Sequence, residues 1–360
     1  MVITMTKSRK DELSALNILL CLMVIFVHAA SPTVSAMDKS SPLYAILLTL
    51  WRACPCAVQG FIFLAGVKSA LHADRQQSYP KYILKRILRV YLPYVAASVV
   101  YYIYLTSIGY MQPGADILLR GVAFSEIAGH LYFVIAIMQF YLLEPLWRIV
   151  AKRLDRAENV IAALIVSYFI SQLLGYYLAD FLYIFNKSEV FLYSDRVFTT
   201  YLPFWIAGLA VGRNYEYIKQ AAKKSLLPTG IIFIFALSFD ALLGYLHNSG
   251  RESIYWLETA HSFYAIAAIA FLYSTATRFG PWLMKLRAAK YIDRASYSIY
   301  LWHPLALYVC DRIITPLNLS MKPAFALRML FGYVLTIALC SLFSFGMGHL
   351  RTLITTYRGE

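Results

Sequence analysis

Apolar and polar positions along the chain come in long blocks rather than alternating residue by residue. Ten apolar stretches, roughly 13–31, 43–71, 88–110, 130–150, 158–180, 198–213, 226–247, 256–277, 295–312 and 325–349, are separated by short polar segments. A hydrocarbon core about 30 Å thick is crossed by roughly 20 helical residues. The blocks therefore predict membrane-spanning helices. An outer-membrane barrel would instead show alternating segments of about 10 residues, and none appears. The second block is too long for one straight crossing. It contains Arg52, Pro55, Gly60 and Gly66, so a break is expected where it lines a cavity. The longest connection, 111–129, is too short for a soluble domain. One transmembrane domain over residues 1–360 is the expectation.

Composition agrees with the pattern. The chain is 60% hydrophobic and 14% charged, against about 25% charged in soluble domains. Its net charge of +14 would suggest nucleic acid in a soluble protein. Here the basic residues follow the topology instead. With the N-terminus inside, 23 lysines and arginines fall in inner segments and 8 in outer ones, while Arg52 and Lys68 sit within the second block. The positive-inside rule then puts both termini in the cytoplasm. The fold class expected is an all-α polytopic membrane protein of about ten helices, with no nucleic-acid partner. After Ala30 there is no clear small-x-small cleavage site, so a retained first span is expected. Cys21, Cys54, Cys56, Cys310 and Cys340 lie in apolar context and read as reduced packing residues.

Polar residues inside apolar blocks are the candidates for chemistry. His28 lies near the far end of the first block, roughly 22 Å from its inner end at about 1.5 Å per residue. A titratable group there is costly and marks a functional site by default. An imidazole, with an ordinary pKa near 6.5, suits general-base work. His130 opens the fourth block at the outer face, at a similar expected depth, either beside His28 or within an aromatic belt. Lys85, Arg86 and Arg89 precede Pro93 at the inner entry to the third block. Arg86 and Arg89 are three apart, share a face of an α-helix, and present forks that suit phosphates. Lipid-headgroup anchoring is the alternative. His303 lies in the ninth block, where its bland reading is a helix-pairing hydrogen bond. Glu258 and Asp240 are the acids considered for orienting a histidine. No metal-site spacing, nucleophile elbow, P-loop or dinucleotide signature is present.

Five segments in order resemble the integral-membrane acyltransferase-3 family. That family has an Arg, ten residues and a His in its first span; here His28 matches and Asn17 stands at the arginine position. Phe61-Ile62-Phe63-Leu64-Ala65-Gly66 echoes its Phe-Phe-x-Leu-Ser-Gly, and Arg86 and Arg89 match its Arg-x-x-Arg. His130-Leu131-Tyr132-Phe133, continued by Tyr141-Leu142-Leu143-Glu144-Pro145, is close to its His-Leu-Trp-Phe segment. Ser296 to His303 matches its Ser-Tyr-x-Ile-Tyr-Leu-x-His. The resemblance implies a membrane O-acyltransferase in a bacterial cytoplasmic membrane. It implies an acyl-CoA co-substrate, acetyl-CoA by preference, bound from the cytoplasm, and an acceptor hydroxyl on a cell-surface glycan or polysaccharide. His28 and His130 then become the catalytic candidates, and Arg86, Arg89 and Lys85 the donor-binding ones, with no metal. The partners are the donor, the glycan and the lipid bilayer, and a homo-oligomer is compatible. Arg52 is a candidate substitute for the missing arginine. A polysaccharide or lipid-linked-sugar exporter is the rival reading.

Overall fold

The computed structural model describes residues 10–73, 78–185 and 192–357, without the side chains of 185 and 342–357. Among these residues fifteen α-helices and a few short 3₁₀ and π turns account for the secondary structure, with no strand. In order they are α1 (Asp11–Ala36), α2 (Pro42–Ala53), α3 (Cys56–Ala70), α4 (Tyr79–Arg86), α5 (Leu92–Ser107), α6 (Ala115–Phe124), α7 (Tyr132–Leu142) and α8 (Glu144–Arg153). There follow α9 (Ala157–Phe185), α10 (Leu202–Arg213), α11 (Tyr215–Lys224), α12 (Leu226–Asn248), α13 (Leu257–Leu283), α14 (Arg287–Ile314) and α15 (Met321–Tyr357). A backbone shielded from water must satisfy its own polar groups, and an all-helical chain does so.

Each of the ten expected blocks holds a helix. Among the described residues six segments are long and apolar enough to cross a membrane, or seven if the bent pair Ala115–Phe124 and Gly129–Leu142 is one span. The other helices are shorter or more polar. Helix α10 has only 12 residues, and α14 carries Lys290, Asp293, Arg294, Asp311 and Arg312. The expected break in the second block is present. Helix α2 ends at Ala53 and α3 starts at Cys56, with Cys54 and Pro55 between, where the missing proline N–H interrupts the ladder. The two together still form one candidate span, Pro42–Ala70.

The chain forms two compact units. Met1–Phe61 and Lys219–Glu360 make the first, and Ile62–Ile218 the second. In the first unit α1 packs against α2, α13, α14 and α15, and α12 packs against α2 and α13. The apolar window of α1 is 61% buried, against 17% for α12, so α1 is the core of its unit. Consistently, its first turns are buried on all sides, from Glu12 through Ile18. Buried Glu12 is paired by Lys219 Nζ at 2.7 Å.

The second unit closes around aromatic rings. Phe140 stacks on Trp205 with centroids 4.5 Å apart, and Trp147 donates its indole N–H to the Phe140 carbonyl at 2.8 Å. Helix α9, by contrast, leaves Ile161, Ile165, Val166, Phe169 and Leu173 exposed. Such a row in a membrane protein is lipid-facing surface.

Candidate active site

Helix α1 carries Pro32 in its interior. A proline has no N–H, so the carbonyl four residues earlier, that of His28, loses its helical partner. Arg328 on α15 takes its place, donating Nη1 to the His28 carbonyl at 2.9 Å and also to the Ala29 carbonyl. The same guanidinium is clamped by Asp311 on α14, at 2.6 Å from Nε and 2.9 Å from Nη2. One arginine thus ties α1, α14 and α15 together at the backbone of His28.

The half-buried His28 ring meets the ring of His303, centroids 4.8 Å apart and tilted by 58°. His303 is fully buried, and its orientation is fixed by a second proline. Pro304 removes the N–H that would pair with the Tyr300 carbonyl. His303 Nδ1 lies 2.9 Å from that oxygen and 3.0 Å from the Ile299 carbonyl. Carbonyls only accept, so Nδ1 carries the proton and Nε2 of the neutral ring carries the lone pair. The bond made by Nδ1 lies within its own helix. Across the helices, its ring meets that of His28.

Asp240 does orient a histidine, and that histidine is His261. Nδ1 of His261 on α13 lies 3.2 and 3.3 Å from the two Asp240 oxygens. Arg52 holds the other side of the carboxylate, with Nε at 2.9 Å and Nη2 at 2.8 Å. All three are buried, at 7%, 0% and 7% exposure for Arg52, Asp240 and His261. Such a charge cluster is held by mutual pairing. Gly244 makes room for it: a Cβ there would stand 2.2 Å from Arg52 Cδ. Arg52 is thus engaged by Asp240.

At the family's arginine position, Asn17 donates Nδ2 to Asp293 Oδ1 at 2.8 Å, and Ser14 donates to Oδ2 at 2.9 Å. Two neutral donors grip a buried carboxylate on α14.

The second unit holds the other candidates. Arg86 is half-buried between two tyrosine rings, its Cζ 4.9 Å from the Tyr82 centroid and 4.3 Å from that of Tyr141. The two rings stand nearly perpendicular to each other, at 83°, so the guanidinium sits in the corner they form and its N–H groups are the means of binding an anion. Lys85 and Arg89 are exposed. A π-helical turn, Ile87–Tyr91, follows Arg86 and ends before Pro93. On an α-helix Arg86 and Arg89 would sit about 60° apart; the wider π turn opens that angle. His130 lies in a 3₁₀ turn, Gly129–Leu131, at 7% exposure. Its ring meets Tyr101 edge-on at 5.4 Å, so it is buried against protein. Among the described residues no group of three His, Cys, Asp or Glu side chains could hold a metal ion.

Sequence reasoning gave the histidines, Asp240, Asn17 and the arginines near the third block singly; it missed their pairing, and it missed Arg328, Asp311, Asp293 and Ser14. The signal for the histidine pair was present in the prolines, four residues beyond His28 and one beyond His303.

No curated protein and no solved structure matches the chain significantly. A family model described as an acyltransferase domain matches residues 11–345. With the match covering nearly the whole chain, the chain belongs to the integral-membrane acyltransferase-3 family.

Proposed function

We propose that this membrane acyltransferase moves an acetyl group from acetyl-CoA to a hydroxyl of a cell-surface or extracellular polysaccharide. The chain acts as one domain of ten spans in a bacterial cytoplasmic membrane, both ends inside. Its donor comes from the cytoplasm, where Arg86, Arg89 and Lys85 hold the CoA phosphates. His28 is the general base. It takes the proton from the acceptor hydroxyl as the oxygen attacks the thioester carbonyl. The C–O bond forms, the C–S bond breaks, and the proton passes to the leaving thiolate. His130 orients the acceptor or donates to the developing oxyanion. His303 holds the ring of His28, and Arg328 holds its backbone.

The observation that carries this reading is an imidazole inside an apolar span, held from both sides, in a chain of acyltransferase family. A membrane histidine with no chemistry to do needs one hydrogen bond to a neighbour, not a fixed second ring. The exporter reading gains no specific support, since the clusters described pair within their own unit.

Purified protein in detergent or nanodiscs, given acetyl-CoA with and without glycan, should release free CoA only with an acceptor, and the glycan should gain 42 Da, about the mass of an acetyl group replacing a proton. Absence of both signals across a panel of envelope glycans, with succinyl-CoA also tried, would overturn the assignment of donor and acceptor.

A further inference from the structure

Helices α12 and α13 pack together within the first unit and leave a groove of about 820 Å³ between the start of α12 and the end of α13. Its walls are Leu226, Leu227, Gly230, Ile231, Ile234 and Phe271. Its mouth carries Lys223 and Lys224, just before α12, and Arg278 near the end of α13. Two features make it a shaped site. Gly230 brings no side chain to it, and a Cβ there would come within 3.2 Å of the Phe271 ring. That ring is fixed by stacking on Phe233, centroids 4.9 Å apart at 20°. The groove is therefore open because one residue is absent and one ring is held.

The charges decide the occupant. All three cations are exposed, and among the described residues no carboxylate pairs with them, whereas Lys219 of the preceding turn is paired with Glu12. Three uncompensated cations repel one another, and an anion between them relieves this. An apolar trough below a cationic mouth matches a molecule with an aliphatic chain and a phosphate. Basic pockets between helices bind anionic headgroups in this way. We propose that this groove is a binding site for one anionic glycerophospholipid, its chain along Gly230, Ile231, Ile234 and Phe271 and its phosphate at Lys223, Lys224 and Arg278. The site is independent of the acyl-transfer chemistry.

The test is native mass spectrometry of the full chain, titrated with phosphatidylglycerol or phosphatidylcholine of the same chains. Wild type should retain one phosphatidylglycerol more tightly than phosphatidylcholine. The triple variant Lys223→Gln, Lys224→Gln, Arg278→Gln should weaken phosphatidylglycerol about 100-fold, on the order of tenfold or less per charge near a membrane surface. Lys285→Gln, an exposed cation outside the groove, should not. Gly230→Leu fills the trough with the three cations intact and should weaken the same binding; retention at wild-type strength would reduce the site to headgroup attraction and overturn the groove. Equal retention of the two lipids, or an unchanged triple variant, would also overturn it. So would displacement of the lipid by equimolar acetyl-CoA, which would make the groove a donor site.

Discussion

His28 owes its place to two groups that do different jobs. Arg328 fills the carbonyl that Pro32 leaves open, and His303 fixes the ring. If His28 is the base, His28→Ala should lower kcat by about 10²-fold or more, with expression and insertion intact. Near-normal turnover would return His28 to a structural role. His303 acts through His28 in this scheme. Its replacement by Asn keeps a donor for the Tyr300 carbonyl but loses the ring, and kcat should fall about 10-fold or more through misplacement of the base. The KM for acyl-CoA should stay unchanged. In the His28→Ala background the same change should cost nothing further, since residues acting as one unit are not additive. Additive losses would give His303 a separate task.

Arg86 and Arg89 support a second residue-level forecast. A guanidinium in the corner of two tyrosine rings presents a planar fork that suits phosphate, and a lysine cannot copy that. Arg86→Lys should therefore weaken acyl-CoA binding by calorimetry, as should Arg89→Lys, and Lys81→Ala should do much less. Unchanged affinity in both Arg→Lys variants would move the CoA site elsewhere. At this scale the sequence supplied the right residue types but not the partners. Asp240 was legible as an acid for a histidine. Only the fold says that it serves His261, twenty-one residues on and on the next helix.

Among the elements, helix existence was legible because each apolar block is long. The breaks were legible where proline stands, as at Cys54-Pro55. The π turn at Ile87–Tyr91 was not, because nothing in a single run of residues distinguishes an i→i+5 bond from the ordinary ladder. Nor was the crossing of α3 and α10. Helix α10 carries Gly208-Leu209-Ala210-Val211-Gly212, a small-xxx-small pattern, and its glycines meet α3 backbone to backbone. A Cβ at Gly208 would lie 2.2 Å from the Phe63 carbonyl oxygen, and one at Gly212 would lie 2.5 Å from that of Val67. Close helix approach through such residues is a main source of packing energy in lipid. Gly208→Ala should therefore lower the melting temperature, at an overpacking cost of about 1–3 kcal/mol. Gly175→Ala on α9, where a Cβ would meet nothing within 4 Å, should leave it unchanged or raise it slightly. Equal effects of the two, measured by thermal unfolding in detergent, would show that the crossing tolerates a wider separation.

For the whole molecule the open quantity is the number of crossings. Six or seven segments satisfy a test of length and apolarity, and ten were read from the blocks. Three expected spans fall outside the test: α10, which is short at 12 residues, and α13 and α14, whose polar residues the fold itself accounts for. Asp293 on α14 is gripped by Ser14 and Asn17, Asp311 at its other end by Arg328, and His261 on α13 by Asp240. A hydropathy test charges each of these groups as though it faced lipid. A paired group inside a bundle does not carry that cost in full. Helices α13 and α14, 27 and 28 residues long, are long enough to cross a membrane once this is allowed. The basic residues give an independent argument, since 23 fall on one expected side and 8 on the other. An odd number of crossings would put the termini on opposite faces and break that asymmetry. Ten spans therefore make a definite forecast. A single cysteine at Lys187, which lies outside the described residues, should react with an impermeant thiol reagent only from outside. One at Lys223 should react only after the membrane is opened. Reporters fused to the two ends should both read cytoplasm. Labelling of both cysteines from outside would refute the count. Opposite readings for the two ends would require an odd number of spans, and the bent pair between α6 and α7 would then be the first place to look for the missing or extra crossing.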